Sequence, residues 1–349
     1  MTAEQMTATE RVMTALQHQE PDRVPFFLLV TTHGAQELNL SIKEYFSRPQ
    51  NVARGQLQLR NRFGHDCLYN FFYAAVEVEA WGGDILYYDD GPPNAGMPII
   101  KEFEDIEHLE PPLVERSPCL QNVLQATSIM KETVRDEVPI IGVVMSPFSL
   151  PVMQMGFEKY LMLIFEQPDL FQRLMNINEE FCVSWANAQL EAGATAICYF
   201  DPVSSPTITP REKYLKTGFI IAQKTIARIK GPTATHLASG RCQAIITDLA
   251  QTGTAMVGVG VDEDLAVLKK ESQGKLSLLG NLNGIAMRNW DAGQVDALVQ
   301  QAIARAGAGG GYILSDNHGE IPYQVPFDVL LMISDAVRRW GKYPLPESL

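Results

Sequence analysis

The chain has 349 residues and a formal net charge of −13, with 46% hydrophobic and 20% charged residues. This is the balance of a globular protein with a large core, and it excludes a disordered or fibrous chain. The acidic excess leaves no clustered Lys and Arg for nucleic acid or an anionic membrane, so neither is expected as a partner.

In chain order, "MTAEQMTATERVMTALQHQEPDRVPF" has helical spacing from about Ala8 to His18 and no long apolar run, so neither a signal peptide nor an anchor is expected. "EPDRVPFFLLV" then sets a Pro-Asp turn before a short apolar strand. In "AAVEVEAWGG" Glu77 and Glu79 alternate with valine, as on an edge strand with both carboxylates in solvent; Glu79 is also a candidate for substrate contact. Apolar runs of strand length follow at 138–145, 194–201, 233–239, 255–261, 275–282 and 310–316. Helical stretches lie between them, among them "EKYLMLIFEQPDLFQRLMNINEEFCVSWANAQLEAG" and "EDLAVLKKESQG", each closing near a glycine as helix C-termini do. Such alternation implies parallel strands joined by right-handed crossovers. With no Ser- or Pro-rich linker, the expectation is an α/β fold, one (β/α)8 barrel of TIM type with an N-terminal helical extension, spanning 1–349 as a single domain.

In such barrels chemistry sits at the carboxyl ends of the strands. Those ends carry "MSPFS", "DPVSS", "HLASGR", "GVDED", "GNLNG" and "SDNHGE". The last offers Asp316, His318 and Glu320 within five residues, either a polar loop or one edge of a metal site. Asp201, before Pro202, reads as a turn residue or as a group orienting a ligand. Cys242 reads as a small buried hydrophobe, with a metal-ligand role as the alternative. Met145, Phe148 and Met155 read as core or as an apolar wall against a flat substrate, and Tyr199 as a further substrate contact. "GAGGG" at 307–311 precedes a strand, where a phosphate-binding loop would follow one, and is expected to be a connection. Five cysteines without a CxxC pair predict free thiols and a reducing cytoplasm.

The segments "ALQHQEPDRVPF", "SPFSLPVMQMGFE", "AQLEAGATAICYFDPVSSPTITPREKY", "LLGNLNG" and "GGYILSDNHGEIPYQVP", in that order, resemble the uroporphyrinogen decarboxylase-like barrels. Within them the resemblance is to the corrinoid-dependent methyltransferases, of the O-demethylase and methylcobamide:coenzyme M types. The decarboxylases grip a polycarboxylated tetrapyrrole with arginines after the first strand and with a later aspartate. Here "FFLLVTTHGAQEL" holds no arginine and Ala74 stands where the aspartate is expected, so that reaction is not. The coenzyme M enzymes bind zinc through a His-x-Cys pair and a cysteine on the last strand. The resemblance implies a corresponding site at His236 and His318, with Ala238 in place of the first cysteine and with Asp262, Glu263 or Cys242 as further ligands.

The resemblance further implies a methyltransferase of EC 2.1.1 type. It would move a methyl group from a small methylated compound, an aromatic methyl ether, to the Co(I) corrinoid (cobalamin) of a separate corrinoid protein, with zinc as Lewis acid and His236, His318 and Asp201 as catalytic groups. No DxHxxG-type signature is present, so a partner is expected to bring the corrinoid. The alternatives are transfer from a methylcobamide to a thiol, a metal-free lyase, and a corrinoid-binding protein without turnover.

Overall fold

The computed structural model describes residues 6–272 and 274–345. Met1–Gln5 of the predicted N-terminal segment and Gln273, near the end of one predicted helix, lie outside them. The first helix, α1 (Ala8–Leu16), starts at a reciprocal cap: the Thr7 side chain accepts from the Glu10 amide and Glu10 accepts from the Thr7 amide.

The strands are β1 (Leu68–Tyr69), β2 (Ile85–Leu86), β3 (Asn94–Ala95), β4 (Ile140–Met145), β5 (Ala196–Phe200), β6 (Thr233–His236), β7 (Met256–Gly258), β8 (Ser277–Leu282) and β9 (Tyr312–Asp316). Seven form a parallel sheet in the order β1-β4-β5-β6-β7-β8-β9, and β2 with β3 makes a separate hairpin. The extended segment 24–30 closes the sheet. Phe26 bridges Leu314 in parallel, the Phe27 amide donates to Leu314, and the Asp66 amide donates to Phe26, which seats this segment between β9 and β1. The expected eightfold barrel is therefore present, with helices packed around it.

Alternation along the strands sorts side chains into two shells. Tyr69, Val143, Cys198, Leu279 and Ile313 pack with Phe27 in one cluster inside the barrel. Val144, Ile197 and Tyr199 face one group of helices, and Val257, Leu278 and Leu314 another. At the amino-terminal end Asp66 takes Arg11 at 2.7 Å, Arg23 at 2.7 and 2.9 Å, and the Phe26 amide at 2.9 Å. This buried network ties α1 and segment 24–30 to the start of β1.

Two local expectations are corrected. The predicted edge strand around Glu77 and Glu79 is a helix, Val76–Ala80. Its turn buries Glu77, which accepts the Met145 amide at 2.9 Å and whose carboxyl is pushed up to about 8 by burial. The long helical stretch 158–193 breaks into Phe157–Glu166 and Pro168–Glu191, because Pro168 can start a helix but cannot continue one.

Candidate functional site

β6 ends in His236. Its register partners are Phe200 on β5 and Gly258 on β7. The imidazole stacks on Phe200, with ring centroids 5.3 Å apart and planes 17° from parallel. It also lies against Gly258, where a Cβ would stand 2.5 Å from Cδ2, so a glycine is required there for the ring to fit. Nδ1 accepts the Ala238 amide at 3.0 Å. In a neutral imidazole the proton then sits on Nε2, which is buried without a partner. Burial, with His318 nearby, pulls the pKa down to about 4, so the ring is neutral at pH 7.

β9 ends in Asp316, which organises the turn after it. Its Oδ2 accepts the His318 amide at 2.8 Å and the Gly319 amide at 3.2 Å, while Oδ1 is buried without a partner. Burial pushes this carboxyl up to about 7. Glu320, bonded to the Thr31 hydroxyl, is also pushed up to about 7, by burial and then by Asp316. Gly319 has φ +89°, and a Cβ there would stand 2.6 Å from the Phe200 ring and 3.4 Å from Cε1 of His236. The turn thus covers the Phe200–His236 pair, and Tyr69 pins it by donating to the Gly319 carbonyl at 3.0 Å. His318 is half-buried, with Nδ1 bonded to the Ser239 hydroxyl and Nε2 unpartnered. Asn317 is buried with both amide atoms unpartnered. The strand ends β5, β6, β7 and β9 therefore gather a neutral N–H donor and two carboxyls that titrate near neutrality.

The expected metal set does not assemble. The Asp262 side chain is 74% exposed and lies 4.0 Å from Arg241. Cys242 is wholly buried in the core, its thiol pushed up by burial and by Glu263. Glu263 spends one oxygen on the Cys242 and Gln243 amides and the other on the Gly260 amide. Among the described residues no three His, Cys, Asp or Glu side chains are grouped to hold a metal ion. The Ala238 contact also turns a proton, not a lone pair, outward at Nε2 of His236. The residues as arranged do not fit the zinc site that the resemblance implied.

The other candidates divide. Asp201 is buried, and its Oδ1 accepts the Ser146 hydroxyl at 2.5 Å and the Ser149 hydroxyl at 2.7 Å. Its amide donates to the His236 carbonyl at 2.8 Å, so it joins the ends of β4, β5 and β6. Tyr199 points to the helices, the reverse of its expected direction, and its neighbour Phe200 takes the inward place. Phe148 and Met155 belong to a satellite core with Tyr160 and Leu163, and Met145 belongs to the cluster that holds Val144 and Leu150. None of the three is part of the Phe200–His236 pair. Glu79 accepts the Tyr73 hydroxyl. Sequence reading missed Phe200, Gly258, Gly319 and Asn317; Phe200 alone had a signal, since it is an aromatic at the strand end that precedes "DPVSS".

The family model described as uroporphyrinogen decarboxylase (URO-D) matches residues 7–340, and the chain belongs to that family. A methylcobamide:CoM methyltransferase, MtaA of Methanosarcina barkeri, is 26% identical over 287 residues, 80% of this chain and 83% of that one. A uroporphyrinogen decarboxylase of Xylella fastidiosa is 26% identical over 361 residues, covering 97% of this chain and 100% of the other. Among solved structures, a methyltransferase from Methanosarcina mazei superposes with a TM-score of 0.86 at 22% identity, over 96% of this chain and 99% of that one, which shows the shared fold.

Proposed function

We propose that this member of the uroporphyrinogen decarboxylase family transfers the methyl group of a small methylated donor, an aromatic methyl ether, to the Co(I) corrinoid of a partner protein at the carboxyl-terminal mouth of the barrel. The observation that carries the reading is the rim turn after β9, which covers His236 and carries the Asp316 and Glu320 carboxyls, both pushed up to about 7. A substrate with many carboxylates would instead need cations, and residues 26–38 hold none. The likeness to a methylcobamide:CoM methyltransferase supports methyl transfer within the family.

Co(I) supplies the nucleophile, while the poor leaving group is the obstacle. As the methyl carbon is taken, the carbon–oxygen bond breaks and the electron pair stays on oxygen. The His236 N–H can donate to that oxygen, and Asp316 or Glu320 in its protonated form can deliver the proton. Such general acids contribute about 10²–10⁴-fold. Among the described residues no three His, Cys, Asp or Glu side chains are grouped to hold a metal ion, which supports assigning this step to proton donors. The five cysteines are all free and buried, which supports a reducing cytoplasm. Among the described residues no helix is long and apolar enough to cross a membrane.

A second reading, transfer from a methylcobamide to a thiol, is favoured by the name of the same relative. Both are tested with purified protein, Co(I) cobalamin as surrogate partner and a panel of methoxylated aromatics, following methylcobalamin by absorbance. Methylcobalamin with thiol acceptors tests the reverse direction. Loss of carbon dioxide from a carboxylated substrate without any corrinoid would sink both readings in favour of a lyase.

A further inference from the structure

A TIM-type barrel fills its interior with layers of bulky, branched side chains. Here neighbouring strands carry small residues at inward positions: Ala196 and Cys198 on β5, Ala234 on β6, and Cys67 ahead of β1. They leave a chamber of about 300 Å³ inside the barrel, walled further by Phe27, Ile141, Met256 and Leu279. α1 lies across its amino-terminal end with Val12, Met13 and Leu16, and His236 stands at the other end. Met13, Pro232 and Ala255 line it and are exposed, so it reaches the surface beside α1.

No Asp, Glu, Lys or Arg is among the lining residues, so an ionised molecule would lose its hydration without a counter-charge. An apolar molecule would instead fill space that the barrel's side chains leave unpacked. A cavity of about 150 Å³ is known to take benzene, so this chamber has room for one substituted ring. At its far end the His236 ring closes the chamber: Nδ1 is committed to the Ala238 amide and Nε2 is itself buried, so neither nitrogen is open to an occupant.

We propose that the chamber is a binding site for a small neutral, apolar molecule of about one aromatic ring, reached from the amino-terminal end of the barrel. The inference stands on the cavity, on the small inward residues that leave it and on its uncharged lining, and holds whether or not the protein transfers methyl groups.

The test uses the purified full chain with anisole, toluene and benzoate as probes, read by thermal denaturation and calorimetry. Anisole and toluene should bind saturably in calorimetry and raise Tm by about 4 °C at a hundredfold excess over Kd. Benzoate, the charged ring, should do neither. Ala196→Leu and Ala234→Leu, made separately, fill the chamber and should weaken both neutral probes at least tenfold. Methyl resonances of Met13 and Met256, which line the chamber, should shift saturably on adding toluene to the unmodified protein, a readout that needs no variant to fold. No saturable binding of either neutral probe in calorimetry or on those resonances would overturn the site. So would undiminished affinity in whichever leucine variant folds. Equal binding of benzoate would overturn the ligand class.

Discussion

At the amino-terminal end of this barrel the carboxylate of Asp66 is paired with the guanidinium groups beside it, and at the carboxyl-terminal end a cluster of polar groups around one turn is left over. Asp66 takes two guanidinium groups and a backbone amide, although both nitrogens of the neighbouring His65 are buried without partners, and the chamber above α1 is lined mostly by apolar residues, with Gln17, Thr195, Thr233 and Thr235 among them. Past His236, in the same sheet, Nε2 of both histidines, Oδ1 of Asp316 and the amide of Asn317 are buried without partners. Buried polar groups are normally satisfied, and each exception calls for a reason. The paired end holds the fold together. The unpaired end is where a bound molecule would find donors and acceptors already in place.

The sharpest way to break this contrast is Asp316→Asn, which keeps an acceptor for the His318 and Gly319 amides and removes the titrating proton. Methyl transfer should fall by about 10²–10⁴-fold with the circular dichroism spectrum unchanged. Full turnover in this variant would mean that the acid lies elsewhere. The matching change at the other end, Asp66→Ala, takes a carboxylate partner from two buried guanidinium groups, Arg11 keeping Asp22, and should cost about 3–5 kcal/mol in urea denaturation. A cost below about 1 kcal/mol would show that the paired end is not what holds the fold.

Gly258→Ala probes the seam between the two ends. Its methyl group would meet the His236 ring at 2.5 Å, within a sheet that cannot easily give way. A loss of about 1–3 kcal/mol in stability is expected, with a larger loss of activity than of fold as the ring is displaced. Unchanged stability would show that the ring has room to move.

A further effect is in pH. The Asp316 carboxyl, near 4 when unfolded, is raised to about 7 in the fold by burial. A raised carboxyl favours the folded state most fully below its unfolded pKa, and that contribution is lost as pH rises through about 7. Asp316→Asn should therefore lose less stability than the parent between about pH 4 and pH 7, in paired urea titrations. Parallel curves would contradict the raised value. Catalysis in the parent should fall as pH passes 7, the direction in which the proton donor disappears.

Much of the architecture could be read along the chain. The apolar runs at 138–145, 194–201, 233–239, 255–261, 275–282 and 310–316 all contain barrel strands, and "SDNHGE" does close β9 at the rim. Errors came where a single residue or a distant contact decides. The sequence put Tyr199 at the site, and the register of β5 turned it outward and Phe200 inward, because successive residues of a strand face opposite sides. Alternating Glu and Val in 76–80 looked like an edge strand, yet the packing of that turn against β4 made it helical and buried Glu77. The metal ligands were grouped by the resemblance, and a shared place at strand ends does not say which way a loop turns after its strand.

By itself, then, the sequence determined the alternation of strand and helix, the closing of strands into a barrel, and the strand ends where polar chemistry would gather. These depend on periodicity and composition, which are local. Only the tertiary structure decided that His236 carries its free proton on Nε2, that Asp262 and Cys242 lie away from it, and that small inward residues leave a chamber beneath it. Each of these depends on groups far apart in the chain meeting at a particular distance, and such distances are set by packing the whole barrel at once.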